Sequence, residues 1–292
     1  MAFDLDPTVR SRELGLRLST AMRAAGFSAN EIARKLGWSP SRVSRLLSGK
    51  RGVRLIDIAA FLAVCDIIGD ERGAVLEIAE HAWETLWWQQ CGSRLPERSH
   101  TLSFLEDTSS AMIHTGYGMV PALLQTESYM RASLRALPTI PEEEVDSRVA
   151  HGLARQEIFD RDRPVRFRFF LHEYAMTRTG HGRRAMSEQL HHLVRMAVRP
   201  HVEVRVVAEA PGSVPFEPFR IIEFAEFNPV LYLEDLTWVA FIERADTLNS
   251  YRRVVAEIDA VALDRAASRD WLATTAADLA SASGRPDADA IG

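Results

Sequence analysis

The sequence predicts an α+β chain: an all-helical bundle at the N-terminus, followed by an α+β domain built around a small sheet. Three observations predict it. Through Val64 the apolar residues recur at helical spacing. Beyond Phe159 short alternating segments such as Val202 to Val207 stand between helical stretches without strict strand–helix alternation. Charge divides at the same place: residues 1–64 hold eleven Arg/Lys against five Asp/Glu, and the rest of the chain twenty-four against thirty-five. A small basic head on an acidic body implies that the head meets an anionic partner while the body faces away from it.

In the head, Glu13 to Ala25 carries Leu14, Leu18, Ala21, Met22 and Ala25 on one helical face, closed by Gly26. Ser28-Ala29-Asn30-Glu31 has the form of a capping box and opens a helix that buries Ile32, Ala33 and Leu36 before Gly37. After Trp38, Ser39 caps a second short helix with Pro40 at its first position; Val43, Leu46 and Leu47 turn inward. Leu55 to Val64 adds an apolar helix. A tight helical pair needs a small residue at the crossing (Ala33), a strain-free turn (Gly37) and buried aliphatics on the second helix (Val43 and Leu46), all of which are present. The outward residues of the second helix then face base edges: Ser41, Arg42, Ser44 and Arg45 are the candidate base readers. Ser39, Asn30, Arg34, Lys50, Arg51 and Arg54 are the candidate phosphate contacts. The partner this predicts is a double-stranded DNA operator. One small head makes few contacts, so a homodimer on half-sites roughly 34 Å apart, or a multiple, is expected.

The body reads as follows. Asp70 to Gln89 is one expected helix ending in Trp87-Trp88, with either one tryptophan reaching another domain or subunit or both covered by the following chain. Gly92 to Pro96 is the expected linker. Ala122 to Leu137, Glu142 to Phe159, Arg184 to Val198 and Ala245 to Leu263 are expected helices. Val165 to Leu171, Val202 to Val207, Phe219 to Phe224, Val230 to Leu233 and Trp238 to Ile242 are expected strands. The loop Ala208 to Pro218 reads as a strand connection, or as a lid on an apolar cavity. The domains expected are residues 1–68, a connector 69–95, a regulatory or partner-binding body 96–279 and a disordered tail 280–292.

The segment SANEIARKLGWSPSRVSRLLSGKR resembles the helix-turn-helix of Xre/Cro-type repressors, and implies a lambda-repressor-like fold for the head. Ala29 stands where such proteins often carry a phosphate-contacting glutamine, and Pro40 where a residue often reads a base. The body resembles the C-terminal domain of WhiJ-like regulators of actinobacteria through VPALLQTESY (120–129), Arg148 to Phe159, LHEYA (171–175), Glu188 to Leu193 and Phe219 to Glu234. That resemblance implies an operator-binding head and a body that senses a ligand or binds a small partner protein, in an arrangement akin to antitoxin and toxin.

Other chemistries find no support in the residues. The second histidine of H-E-x-x-H is missing after His172-Glu173, where Met176 stands, and the adjacent His191 and His192 diverge on a helix, so no metal is expected. There is no G-x-S-x-G, neither Cys65 nor Cys91 has a supporting histidine, and Glu142 to Glu144 fit a helix's first turn. The expectation is therefore no enzyme, no catalytic residue and no cofactor. No apolar stretch reaches membrane-spanning length and no signal pattern opens the chain, which points to the cytoplasm.

Overall fold

The structure, a computed structural model, describes residues 7–50, 54–90, 95–177, 182–208, 217–235 and 238–282. Five helices make the head: α1 Val9–Ala24, α2 Ala29–Leu36, α3 Pro40–Leu47, α4 Leu55–Val64 and α5 Gly69–Glu80. Their apolar stripes meet in one core of Leu14, Leu18, Ile32, Val43, Leu46, Ile58, Phe61 and Leu62, to which α5 adds Val75 and Ala79. The segment read as a connector thus begins with a fifth helix of the bundle.

In chain order the body comprises β1 Leu86–Gln90, α6 Leu95–Thr108, β2 Ala111–Gly116, α7 Glu127–Arg135 and α8 Glu142–Arg155. Next come β3 Arg166–His172, α9 Tyr174–Thr177, α10 Arg183–Ala197 and β4 Val202–Val207. The chain finishes with β5 Phe219–Glu223, β6 Val230–Glu234, β7 Trp238–Ile242, α11 Ala245–Val261 and α12 Arg265–Ala282. The strands form one seven-stranded mixed sheet in the order β1-β7-β6-β5-β2-β3-β4. β2, β3 and β4 run parallel, joined by crossovers that carry helices, and the other pairs are antiparallel. One sheet face, including Phe167, Phe169, Ile222, Tyr232 and Phe241, packs beneath Leu105 of α6, Leu190 of α10 and Leu272 of α12. The opposite face, including Phe170, Ile221 and Leu231, is covered by Leu248, Val255 and Ile258 of α11. Strict alternation along β3 and β5 feeds both cores, as a sheet buried on two faces requires.

Several expectations need correcting. The helix expected over Asp70 to Gln89 stops at Glu80, and Leu86–Gln90 is a strand paired to β7. Its period of two sends Trp87 into the core, stacked on Phe241 at 4.5 Å, and leaves Trp88 65% exposed on the other face. Cross-strand packing decides this segment against its helical pattern. The helix expected over Ala122 to Leu137 breaks at Gln125, which is extended, and Thr126 caps α7 by accepting from the Tyr129 amide. α6, β2 and α12 have no counterpart among the expected elements. α12 runs through Ala280 to Ala282, where a disordered tail was expected. The expected linker falls partly outside the described residues, and Leu95 and Pro96 already belong to α6. Most of the loop Ala208 to Pro218 lies outside them as well.

Head and body meet along the first two turns of α1. The Val9 amide donates to Glu243 Oε1 at 2.8 Å, and Thr101 of α6 donates to Glu13 at 3.0 Å. The Arg12 guanidinium lies 4.1 Å from the ring centroids of both Phe224 and Phe227 and 5.3 Å from that of Phe104, and donates to Thr108 at 2.9 Å. Arg10 covers the outer face of the Trp87 ring at 4.4 Å. Desolvated cation–aromatic contacts of this kind contribute up to about 2 kcal/mol each. Further along, α1 touches the end of α3: a Cβ on Gly15 would stand 2.2 Å from the Leu47 carbonyl oxygen.

Two outcomes follow from these contacts. Gly15→Ala should lower stability by about 1–3 kcal/mol, the usual cost of overpacking, measured by denaturant unfolding. Burial pushes the Glu243 carboxyl up to about 7 despite the Val9 amide and Arg12, which favour its ionised form. Between its ordinary value of 4.5 and about 7 the folded chain holds the extra proton, so stability falls as pH rises through that window. Relative to Glu243→Gln, the wild type should lose on the order of 1–3 kcal/mol between pH 5 and 8; parallel pH profiles for the two would contradict this.

Candidate nucleic-acid interface

The interface is built by α2, the turn at Gly37 and α3. Ser28 accepts from the Glu31 amide at 3.3 Å and the Glu31 carboxylate accepts from the Ser28 amide at 2.8 Å, the reciprocal capping box anticipated from sequence. Those bonds hold the Glu31 carboxyl below its ordinary value. Gly37 takes a left-handed conformation (φ 63°), and the Trp38 amide donates back to Ala33 at 2.8 Å, which sharpens the turn. Ser39 caps α3 by accepting from the Arg42 amide at 3.2 Å, and Pro40 occupies the first helical position. Ala33, buried at the α2–α3 crossing, lets the two helices approach.

With Val43 and Leu46 anchored in the core, α3 leaves Ser41, Ser44 and Arg45 exposed. Successive residues turn by about 100°, so these three share the outward side. Arg42 falls on the flank toward α4. Its guanidinium lies 4.1 Å from the Trp38 ring centroid and its Nη2 donates to Asp57 Oδ2 at 2.5 Å. Arg54 reaches the same carboxylate, Nη2 to Oδ1 at 2.9 Å and Nε to Oδ2 at 3.3 Å. Asp57 is 14% exposed in its side chain, Arg42 22% and Arg54 72%. Burial alone would raise the Asp57 carboxyl, but the bonds from Arg54 and Arg42 outweigh it and hold it below the ordinary range, so it is ionised at neutral pH.

Among the sequence-predicted contacts, Asn30, Arg34, Ser39 and Lys50 are exposed around α3, while Arg51 lies outside the described residues. Arg34, Arg45 and Lys50 form no ion pair among the described residues, whereas Arg42 and Arg54 are already paired. Asp57 and Trp38 were missed as members of the site. The available signal was that Asp57 is the one charged residue in the apolar run Leu55 to Val64, three positions past Arg54.

The body holds a largely buried polar cluster among its described residues. Arg155 pairs with Glu106; Arg220 donates to Glu106 Oε1 at 3.2 Å and to His114 Nε2 at 3.1 Å; and the Tyr232 hydroxyl donates to Glu234 at 3.0 Å. Burial and the neighbouring arginines push His114 well below its ordinary value, so it is neutral. Among the described residues no group of three or more His, Cys, Asp or Glu stands where it could hold a metal ion, and no helix is long and apolar enough to cross a membrane.

Head and interface together define a helix-turn-helix protein: residues 13–75 match the model of a helix-turn-helix domain. Residues 100–274 match a domain of unknown function, DUF5753, and since that match spans more than half of the chain, the protein belongs to the DUF5753 family. No curated protein matches the chain. Among solved structures, TrmBL2, described as an archaeal chromatin protein with a novel mode of DNA binding, aligns at 10% identity with a TM-score of 0.32. The alignment covers 71% of this chain and 64% of TrmBL2.

Proposed function

We propose that the chain is a sequence-specific transcriptional regulator of the Xre type, WhiJ-like in its body, that binds a double-stranded DNA operator as a homodimer and represses from it. The observation that carries this reading is the outward side of α3, where Ser41, Ser44 and Arg45 stand exposed on a helix whose opposite side is locked into the head's core. In this reading Arg45, with the two serines, meets base edges, and Arg34, Lys50 and Ser39 meet phosphates. Asn30 and Arg51 join them from the set expected from sequence, whose remaining member, Arg54, is paired with Asp57. The body, with no catalytic role, transmits the presence of a small effector or partner protein, and the chain works in the cytoplasm.

A second reading, an antitoxin-like module whose DNA binding is secondary, is favoured by one observation. Leu86 and Trp88, 50% and 65% exposed, lie side by side on the outermost strand of the sheet, a surface suited to another protein. Co-purification of a small protein from the native host would favour it.

The pair Arg45→Ala and Lys50→Ala tests the main reading. Arg45→Ala should cost about 1–3 kcal/mol on the preferred sequence and relax the preference at one position. Lys50→Ala should weaken all sequences alike and make the salt dependence shallower by about one. An Arg45→Ala variant with unchanged affinity and unchanged preference would remove α3 from the recognition role.

A further inference from the structure

Asp57 places a negative charge beside the outward side of α3, where every added anion opposes DNA binding. A place in the first turn of α4 would suit an acid through the helix dipole alone. Here, however, both carboxylate oxygens are turned to arginines: Oδ2 to Arg42 at 2.5 Å and Oδ1 to Arg54 at 2.9 Å. Trp38 closes the other side of Arg42. The carboxylate therefore compensates two arginines of the basic head before any DNA arrives, while Arg34, Arg45 and Lys50 form no ion pair among the described residues. Arg42 is held by an ion pair and a ring at once, which fixes a side chain that otherwise has many rotamers. The same clamp ties the flank of the recognition helix to the first turn of α4.

Resting on the reading of the head as a DNA-binding domain, we propose that Asp57 is a specificity-determining, positioning residue: it restrains Arg42 and Arg54 from indiscriminate phosphate contact and fixes the seat of α3. Affinity for arbitrary DNA comes mainly from the number of phosphates neutralised, each shifting the salt slope by about 0.9. An arginine already paired with a carboxylate adds little to that number. Freeing two of them raises binding to any duplex while loosening the helix that discriminates between sequences.

The experiment uses the full chain and two probes, a random-sequence duplex and the pool of genomic fragments that the wild type enriches, each across a salt series. Asp57→Asn should bind the random duplex several-fold more tightly at low salt, with a slope steeper by about one to two. Its preference for the enriched pool should fall several-fold, and Asp57→Glu should restore it. Parallel loss on both probes, or no change on either, would show a merely structural ion pair and overturn the proposal. Arg54→Gln, at a largely exposed side chain where folding is not at stake, provides the second reading. It should change the slope on the random duplex by less than about half a unit, against about one for Lys50→Gln. A full unit lost with Arg54→Gln would mean that Arg54 grips phosphate despite Asp57. A wild type that binds neither probe would instead overturn the DNA-binding reading itself.

Discussion

The packing of α1 is the constraint on which the rest of the molecule depends, because this one helix belongs to both halves. Its first turns are gripped by the body through Arg12 among three phenylalanine rings, Val9 against Glu243 and Glu13 against Thr101. Its middle carries Gly15, whose missing side chain lets α1 lie directly against the last carbonyl of α3. Leu14 and Leu18 then supply the head's core. A rigid helix fixed at both places couples the orientation of α3 to the body, so head and body are joined by packed side chains, not by a chain linker alone. α6 extends the same contact inward. Thr101, Phe104 and Thr108 face α1, while Glu106 on the same helix anchors the buried Arg155–Arg220–His114 cluster.

Charge is divided with equal consequence. Among the described residues around α3, Arg34, Arg45 and Lys50 form no ion pair while Arg42 and Arg54 are paired on its flank, with Asp57 setting that division. In the body, Arg155 and Arg220 are neutralised by the buried Glu106, with the exposed Glu234 reaching Arg220 from the rim, so they hold that fold together and do not contribute a basic surface. Buried pairs of this kind are costly to break and modest in net stabilisation, which fits a role in fixing one arrangement of α6, α8 and the central strands.

Much of this was legible in the residues. The capping box at Ser28, the glycine turn and the proline-led α3 are local signals, and each appears where its chemistry places it. The strands Val202 to Val207, an alternating run, and Trp238 to Ile242 match their expected ranges residue for residue. What the sequence hid depends on tertiary partners. Leu86 to Gln90 has a helix-compatible pattern and becomes a strand because β7 offers it an edge and Phe241 a stacking partner for Trp87. β2, whose AMIHTG mixes His, Thr and Gly, is recruited as an interior strand between β3 and β5, and with β1 it turns a small sheet into one of seven strands. α12 is rich in alanine and has no sharp apolar stripe, yet Leu272 and Ala276 are fully covered against α10 and β4. In the interface, outward residues of α3 follow from helical periodicity, but the pairing of Arg42 with Asp57 joins two helices and carries no local signature.

Binding of the purified full chain to fragmented genomic DNA across rising salt, with sequencing of the bound pool, tests the role of the α3 side most directly. Enrichment of an inverted repeat with half-sites one or more helical turns apart, on top of a steep salt dependence, is the result expected of a two-headed operator-binding protein. A bound pool with no enriched sequence, and weak binding that vanishes at moderate salt, would contradict it.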